Sequence, residues 1–263
     1  MKSWIEYIDY EMETKFEEGE PILEGGYSKL VEFLVTSLTG HAKLKLNSKC
    51  TNISWDNEDS EIRVTLENGE IYTTGYVVVA LPLGVLKHGH SSLFVPPLPK
   101  SKIEIIEKLD FGLMNKIFLE FEDVFWDEDN PGIQFIMTDD HFEEDSDVTN
   151  TWWRSIAGFD SVCGQPHVLC GWICGPPAKH MESLSDEEIL DTCWSMLKRH
   201  VGLHVPRPIT CRASRWGGNP NIRGSYSYST PECDARHVGP RDLAAPVLDT
   251  RGNTKLLFCG EVK

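Results

Sequence analysis

The chain has 263 residues and a formal charge of −16 at pH 7, with 25% charged and 40% hydrophobic residues. This acidity argues against nucleic acid and anionic membrane as partners, because both carry charge of the same sign. The length suits one large domain or two interleaved domains. A negative field attracts cationic small molecules, although acidity is also simply a route to solubility.

Cysteine and histidine usage argues against disulfide-rich and metal-binding classes of protein. The eight cysteines include no Cys-x-x-Cys pair, which favours reduced, buried thiols in an intracellular protein. His88 and His90 are near neighbours, but no third ligand is close and the glycine-rich context predicts a loop. No metal is therefore expected. No apolar run is long enough to span a bilayer.

The first predicted helix covers residues 28–38, where apolar side chains recur at helical spacing. Ser28 is its predicted cap. Gly25 and Gly26 precede it, and a glycine pair before a helix suits the close approach of an anion. The same pair serves equally well as an ordinary turn.

A series of strands is predicted over residues 43–81. The dipeptide Asn68-Gly69 predicts a hairpin. Residues 76–81 (YVVVAL) form a continuous β-branched run, which is typical of a strand buried on both faces at the centre of a parallel sheet. Pro82 ends this strand, and nucleotide-binding sheets hold their ligands at the carboxyl ends of such strands.

The clearest strand lies within residues 111–126 (FGLMNKIFLEFEDVFW). Apolar and polar positions alternate over residues 115–122, which predicts a half-buried antiparallel strand. Lys116 opens its second face beside Phe118. A lysine held there by packed neighbours can position a water or a small polar group. The alternative is a surface lysine at the start of a strand.

Further strands are predicted at residues 152–159 and 167–174. Ser185 and Glu188 form a capping box, which opens a helix that ends near His200.

Two short strands are predicted near the end of the sequence. Residues 223–228 (RGSYSY) alternate, which places Tyr226 and Tyr228 on one face. Residues 255–261 (KLLFCGE) predict a buried strand that ends in a Gly-Glu pair. A parallel-type strand followed by alternating strands indicates a mixed fold, α/β plus α+β.

Seven motifs, in order along the chain, resemble the flavin-containing amine oxidases, and among them the animal polyamine oxidases: VVVALPLGVLK, FVPPLP, FGLMNKIFLEFEDVFW, VLCGWICG, MESLSDEE, SRWGGNPNIRGSYSY and LLFCGE. The resemblance covers residues 25–261. Several motifs of this length in series are far more specific than one short pattern.

The resemblance implies two interleaved domains. One is an FAD-binding domain with a parallel sheet, and the other is a substrate domain on a mixed or antiparallel sheet. On that template residues 25–94 and a truncated segment, 228–263, belong to the FAD-binding domain. Residues 1–24 and 95–227 belong to the substrate domain.

The resemblance also implies roles for individual residues. Lys116 matches the family lysine that holds a water against the flavin N5. Its implied role is to position that water for flavin reoxidation or imine hydrolysis, not to attack the substrate. Trp216 matches a tryptophan packed near the isoalloxazine ring, and Tyr226, with Tyr228, corresponds to the aromatic wall of the substrate tunnel. The alternative for these three rings is that they are ordinary core aromatics.

Five further residues match cofactor-binding positions. Gly260 and Glu261 match the C-terminal flavin motif, and Leu81 and Pro82 match the strand exit beside the cofactor. Cys50 replaces a valine whose backbone meets the adenine, and a backbone contact tolerates that change.

The chemistry implied by the resemblance is FAD-dependent oxidation of a polyamine at a carbon next to nitrogen. Water hydrolyses the resulting imine, and oxygen takes the electrons to form hydrogen peroxide. The expected partners are a polyamine and O2, with no nucleic acid or membrane. The expected location is intracellular, either cytoplasmic or peroxisomal. The preference for acetylated or free polyamines and the oligomeric state stay open.

The family pattern also includes a βαβ unit with a GxGxxG-type loop, and a threonine and a helix after the Gly-Glu pair, which this sequence lacks. The chain is therefore expected to be a fragment that binds FAD poorly or not at all by itself. One alternative is a catalytically inactive remnant that acts as a binding module. Another is a relative of the histone lysine demethylases, which the RGSYSY motif and the lack of a long helical insertion disfavour.

Overall fold

A computed structural model describes residues 26–38, 40, 42–56, 61–127, 132–136 and 147–261. The predicted substrate-domain segment 1–24 and Gly25 lie outside these residues. The first helix is confirmed, but it begins at Tyr27, so Ser28 lies inside it.

The helices of the described residues are, in chain order, α1 (Tyr27–Leu38), α2 (Leu83–Leu93), α3 (Lys100–Lys108), α4 (Val148–Thr151), α5 (Gly175–Met181), α6 (Asp186–His200), α7 (Pro231–Arg236) and α8 (Pro240–Ala244). The strands are β1 (Cys50–Ser54), β2 (Ile62–Leu66), β3 (Ile71–Thr74), β4 (Val77–Val79), β5 (Phe94–Val95), β6 (Asp110–Gly112), β7 (Met114–Glu120), β8 (Gly132–Gln134), β9 (Gly158–Val162), β10 (Gln165–Cys174), β11 (Thr210–Ala213), β12 (Tyr226–Tyr228), β13 (Val247–Leu248) and β14 (Thr254–Phe258).

The chain divides into two units. Of the described residues, the first combines those up to Asp110 with those from Ser227 onward, and the second comprises those between Phe111 and Tyr226. The segment 95–110, which the resemblance assigns to the substrate domain, therefore packs with the first unit. The assignment of cofactor binding to one unit and substrate binding to the other stays a prediction.

The first unit contains a four-stranded sheet of order β3-β2-β1-β5. β2 and β3 pair antiparallel through the predicted Asn68-Gly69 turn, where Gly69 has φ +86°. This value lies in the left-handed region that glycine adopts readily, so the hairpin prediction is confirmed.

A three-stranded sheet of order β13-β14-β4 also lies in the first unit. β4 and β14 run parallel, as the β-branched run predicts. The predicted burial on both faces is wrong, because Tyr76 is 64% and Val78 is 54% exposed whereas Val79 is buried. Within the described residues β4 is an edge strand covered on one face, and strand composition cannot distinguish that from a central position.

The predicted loop around His88 and His90 is also wrong, because both residues lie in α2. The carbonyl of Pro82 accepts hydrogen bonds from the backbone N–H groups of Val85 and Leu86, which starts the helix directly after β4. A buried face built from the leucines of α2 then overrides the low helix propensity of its glycines. No group of metal ligands occurs among the described residues.

Lys102 is a buried lysine in α3, only 4% exposed. Its Nζ donates hydrogen bonds to the carbonyls of Asp242 and Leu243, at 2.9 and 2.7 Å, and to that of Ala245. These groups belong to the last turn of α8 and the residue after it, where a cation satisfies unpaired carbonyls. The same Nζ lies 4.6 Å from the ring centre of Phe258, so it joins α3, α8 and β14.

The second unit is built on a five-stranded sheet of order β11-β7-β10-β9-β8. Its neighbouring strands pair antiparallel, as the alternating pattern predicts. In β7, Asn115, Ile117 and Leu119 are buried, whereas Lys116 and Phe118 are half-buried on the other face. The central strand and the strand at 167–174 are therefore confirmed.

Helix α6 packs against β11, and its inner face includes Ile189, Cys193 and Leu197. Burial of each aliphatic side chain there contributes on the order of 1.5–3 kcal/mol. The predicted strand 152–159 is wrong in its first half. Trp152–Ser155 forms a 3₁₀ turn closed by the bond from Ile156 N–H to the carbonyl of Trp153, and Trp152 reaches the core.

None of the helices in the described ranges has the length and apolar character that a membrane span requires.

Candidate functional site

Lys116 lies on the half-buried face of β7. It is paired in register with Trp172 of β10, and its Nζ lies 4.2 Å from the ring centre of this tryptophan. A cation over an indole ring is attracted by the negative face of the π system. Trp172 is 42% exposed, so the pair is open to solvent. The contact adds Trp172 as a candidate site residue that the sequence alone did not single out.

Trp216 is tied to the same end of β7. Its backbone N–H donates to Asn115 Oδ1 at 3.2 Å, and Ser214 Oγ donates to the same oxygen at 2.9 Å. The backbone N–H of Lys116 donates to Ser214 Oγ at 2.8 Å. Asn115 therefore holds Trp216 directly and is linked to Lys116 through Ser214. The Trp216 ring is 41% exposed, which contradicts its interpretation as a core aromatic.

Tyr226, the first residue of β12, contacts Met114 at the beginning of β7. Its hydroxyl is 3.7 Å from Met114 Sδ, and neighbouring Ser225 Oγ donates to the Met114 carbonyl at 2.7 Å and accepts from the Met114 N–H at 2.8 Å. Burial and then the thiol of Cys174 raise the pKa of Tyr226, so the phenol stays neutral at physiological pH. Lys116, Trp216 and Tyr226 are therefore all held by one end of one strand.

In the first unit the structure brings together the two predicted cofactor-binding pairs. β4 and β14 are parallel, with Val79 opposite Phe258, and Cys259 N–H donates to the carbonyl of Val79 at 3.0 Å. The residues that follow these strands, Leu81, Pro82, Gly260 and Glu261, therefore lie beyond the carboxyl ends of the same parallel pair. Open α/β sheets bind ligands at this edge.

Glu261 is held by Ser227, whose backbone N–H and Oγ both donate to Glu261 Oε1 at 3.0 Å. Tyr228 is anchored differently, since its hydroxyl donates to Asp110 Oδ2 at 2.6 Å. That hydrogen bond, with burial and the charge of Asp110, raises the pKa of Tyr228. Tyr226 and Tyr228 are 45% and 39% exposed, on either side of a half-buried Ser227, as the alternation predicts.

Cys50 is placed apart from the other candidate cofactor residues. It opens β1, which belongs to the four-stranded sheet, and its Sγ lies 3.7 Å from the carbonyl oxygen of Asn52. Burial raises the pKa of Cys50, and the contact with Asn52 opposes this effect. The thiol is therefore neutral at physiological pH, which suits a position whose expected contact is made by the backbone.

The first unit offers features that fit the expected flavin nucleotide. Gly260 has φ +130°, a conformation that glycine adopts at little cost and that lets the backbone come close to a ligand. The carboxylate of Glu261 is exposed and can accept hydrogen bonds from hydroxyl groups. Helix α2 begins directly after Pro82, without an acidic residue in its first turn, so its N-terminal dipole end is not neutralised there.

Comparison with known proteins gives an independent finding. Residues 5–262 match the family described as flavin containing amine oxidoreductase. The peroxisomal N(1)-acetyl-spermine/spermidine oxidase of Homo sapiens is 37% identical over 223 residues, which cover 82% of this chain and 43% of that protein. Its counterpart in Bos taurus is 35% identical over 250 residues, covering 90% and 49%. The chain spans less than half the length of these relatives.

Similarity of fold extends to solved structures. The structure of a putrescine oxidase bound to putrescine matches 90% of this chain and 47% of its own chain, with a TM-score of 0.65 and 21% sequence identity. At this identity the match establishes the fold alone, a mixed α/β architecture with parallel and antiparallel sheets.

Proposed function

Because the chain belongs to the flavin-containing amine oxidoreductase family, whose cofactor is FAD, we propose that it serves the FAD-dependent oxidation of polyamines. By family it is an FAD-dependent amine oxidase. The observation that carries the proposal is the group of Lys116, Trp172, Trp216 and Tyr226 at one end of β7. The overall reaction converts a secondary amine, O2 and water into an aldehyde, a primary amine and hydrogen peroxide.

The proposed FAD-binding residues of the first unit follow β4 and β14 in the chain: Leu81, Pro82, Gly260 and Glu261. When bound, FAD supplies the oxidising chemistry, accepting a hydride equivalent that O2 later removes. Gly260 contributes close approach of its backbone and Glu261 a hydrogen-bond acceptor, which Ser227 orients. Leu81 and Pro82 form the strand exit before α2, and Cys50 stays a proposed contact through its backbone.

The proposed role of Lys116 is to position a water molecule. An ammonium group has three donors and no acceptor, so it can orient water through the lone pairs of the water oxygen. Trp172 holds Nζ over its ring at 4.2 Å, which limits the positions that the ammonium explores. A water held in this way would either assist the reoxidation of the flavin by O2 or add to the imine carbon, after which the carbinolamine separates into aldehyde and amine.

The half-exposed rings of Trp172, Trp216 and Tyr226 are the proposed surroundings of the reacting amine, with Tyr228 a further substrate-binding candidate. An amine must be neutral to lose hydride, and partial desolvation by aromatic surfaces lowers the pKa of a cationic amine. The −16 charge of the chain favours the approach of a polycation as a whole. Desolvation near the site therefore acts on the reacting nitrogen, whereas attraction at long range acts on the substrate as a whole.

The relatives support a narrower proposal about substrate and compartment. The two mammalian relatives are named for N(1)-acetyl-spermine and N(1)-acetyl-spermidine, and both are called peroxisomal. We therefore propose acetylated polyamines as the first substrates to test, with spermine as the comparison, and the peroxisome as the first compartment.

The test uses the purified chain with FAD in excess, because this chain is predicted to bind FAD poorly or not at all by itself. Addition of N1-acetylspermine without oxygen is expected to bleach the visible flavin band. Lys116→Met is expected to lower aerobic turnover by on the order of 10²-fold, the size of loss that a misplaced reacting group causes, with a smaller effect on anaerobic bleaching. This difference follows because the proposed water acts after hydride removal. Stopped-flow absorbance and peroxide release measure the two rates.

The matched control is Lys198→Met, since Lys198 also lies over a tryptophan ring, that of Trp194, at 3.4 Å. It is expected to leave both rates unchanged. If no flavin band forms even with excess FAD, this chain does not oxidise amines by itself, and a non-catalytic binding module becomes the better explanation. Equal turnover in Lys116→Met and wild type would remove Lys116 from the reaction.

A further inference from the structure

A single carboxylate in the second unit, that of Glu182, binds three N–H groups. Glu182 directly follows α5. Its Oε1 accepts from Asn115 Nδ2 and from the backbone N–H of Gly217, both at 2.8 Å, and its Oε2 accepts from the backbone N–H of Gly218 at 2.7 Å. Two successive backbone N–H groups that point to one anion form a small anion-binding nest. The nest here is occupied by a side chain of the same chain.

The carboxylate of Glu182 lies so close to Gly217 and Gly218 that it leaves little room for a side chain at either position. A Cβ atom on Gly217 would lie 3.0 and 3.1 Å from the two carboxylate oxygens of Glu182, and one on Gly218 would lie 3.3 Å from Oε2. Contacts of 3.0–3.4 Å are tighter than side chains usually make, so the carboxylate would have to shift. A Cβ atom on Gly217 would also lie 3.2 Å from Leu113 Cδ2, so the carboxylate of Glu182 is one of the groups that leave no room for a side chain after Trp216.

Glu182 also determines how Asn115 is oriented. An amide has one donor side and one acceptor side. Because Nδ2 donates to Glu182, Oδ1 is turned toward Ser214 Oγ and the backbone N–H of Trp216, and it accepts from both. Ser214 Oγ in turn accepts from the backbone N–H of Lys116. Glu182 is thus connected to both Lys116 and Trp216 through one buried amide.

We propose that Glu182 is a positioning residue that holds the segment 214–218, and with it the Trp216 ring, against the strand that carries Lys116. It acts through Asn115 and the Gly217-Gly218 backbone, without touching substrate. The structural part of this inference concerns the protein alone, and its catalytic consequence rests on the proposed amine oxidation.

The variant that tests it is Glu182→Gln, which keeps the size of the side chain but replaces one acceptor oxygen with an NH2 group. The backbone N–H of Gly217 or Gly218, or the Asn115 amide, then faces a donor. Hydrogen exchange at Gly217 and Gly218 is expected to become at least about tenfold faster, the factor that corresponds to one charge-assisted hydrogen bond. Exchange in β10 is expected to stay as in wild type, which reports an intact sheet.

The matched control is Glu120→Gln, the same change at an exposed carboxylate on β7. It is expected to leave exchange in the segment 214–218 unchanged. Wild-type exchange at Gly217 and Gly218 in Glu182→Gln would overturn the proposal.

If β10 also loses protection, Gly218→Ala provides the test from the loop side, since it crowds Oε2. That variant is expected to speed exchange at 214–218 with β10 intact, and unchanged exchange would again overturn the proposal.

The fluorescence of Trp216 tests the position of its ring directly, because a general loss of stability would not change it in the folded protein. The difference in fluorescence between each protein and its Trp216→Phe version isolates this ring. In the Glu182→Gln background the difference spectrum is expected to shift to the red and to be quenched more strongly by iodide. An unchanged difference spectrum would contradict the positioning role.

The catalytic consequence is measured with FAD in excess. Glu182→Gln is expected to lower kcat for amine oxidation at least about tenfold with little change in KM, because alignment rather than binding is lost. If the wild-type chain shows no amine-dependent bleaching, the proposed function fails, whereas hydrogen exchange and fluorescence still decide the role of Glu182. Normal kcat together with loosened exchange would restrict Glu182 to holding the loop and overturn its catalytic role.

Discussion

Single residues of the candidate site owe their geometry to partners far away in the sequence. Asn115 is fully buried although it is polar, and its amide is satisfied by Ser214, Trp216 and Glu182. An unpaired buried amide costs about 1–3 kcal/mol, so these bonds must form together with the fold. The position of Lys116 likewise depends on a ring that a neighbouring strand supplies.

The contact between Lys116 and Trp172 predicts a measurable coupling between these two side chains. At a partly exposed site a cation–π pair contributes about 0.5–1 kcal/mol. A double-mutant cycle of Lys116→Met and Trp172→Leu, measured by urea unfolding, is therefore expected to give a coupling energy of about this size. The cycle of Lys198→Met with Trp172→Leu is the control and is expected to be additive, since Lys198 lies over another ring. Additive behaviour of the first pair would show that the contact contributes no stability.

Among the helices and strands, α6 has the clearest start signal in the sequence. Ser185 Oγ accepts from the backbone N–H of Glu188 at 3.2 Å, and Glu188 Oε2 accepts from the backbone N–H of Ser185 at 2.8 Å. This is the predicted capping box. Acidic residues occupy the first turn and basic residues the last, which opposes the helix dipole at both ends. Local contacts alone therefore determine where this helix begins.

The capping box predicts a pH-dependent stability. Hydrogen bonds from the backbone and then the side chain of Ser185 lower the pKa of Glu188 below its ordinary value of 4.5. A carboxyl group with a lowered folded pKa stabilises the protein fully above its unfolded pKa, and this stability is lost as the pH falls through the folded pKa. Glu188→Gln is therefore expected to have a lower Tm than wild type at pH 7, and the difference is expected to vanish at low pH, once the pH is below the lowered pKa of Glu188.

Ser185→Ala is the companion variant and is expected to cost about 0.5–2 kcal/mol at pH 7, since it removes the cap itself. Thermal unfolding followed by circular dichroism at both pH values gives the comparison, with Glu120→Gln as a control outside the helix. A Tm difference for Glu188→Gln that persists unchanged at low pH would assign the effect to packing instead of ionisation.

Across the whole chain, the cysteines differ in how deeply they are buried, and this determines how reactive each thiol is. The eight thiols are free, and Cys163, Cys174 and Cys259 are exposed. The buried ones are Cys170, Cys193, Cys211 and Cys233. Burial raises the pKa of Cys170 to about 11 and that of Cys211 to about 12. Because only the thiolate is nucleophilic, buried thiols are protected both by access and by protonation.

Alkylation by iodoacetamide at about pH 8 is therefore expected to modify the three exposed cysteines first. Each pKa unit lowers the thiolate fraction about tenfold, so Cys170 and Cys211 are expected to react at least about 10²-fold more slowly than an ordinary exposed thiol. Mass spectrometry of peptides measures the rates, and denaturant is expected to make all eight equivalent. Fast labelling of Cys193 or Cys211 in the folded chain would show that the core of the second unit opens readily.

Local patterns in the sequence were sufficient for the elements whose causes are local. The alternation in β7, the Asn-Gly hairpin and the capping box of α6 were all predicted, because side-chain period, turn conformation and cap bonds depend on residues a few positions apart. The order of the motifs was also sufficient to indicate the family. Where a longer-range packing choice decided, as in α2 and at Trp152–Ser155, the predictions were wrong.

The tertiary structure alone decided the site network. Asn115 and Glu182 are 67 positions apart, and Asn115 and Trp216 are 101 apart. Neither pairing leaves a periodic or compositional signal, so the sequence indicated Lys116, Trp216 and Tyr226 by resemblance but gave no reason for Trp172 or Glu182. By itself the sequence determined the family and the local elements, since both are encoded in contiguous residues. Only the folded chain determined which side chains hold the site, since hydrogen bonds and ring contacts between distant residues exist only after the strands have paired.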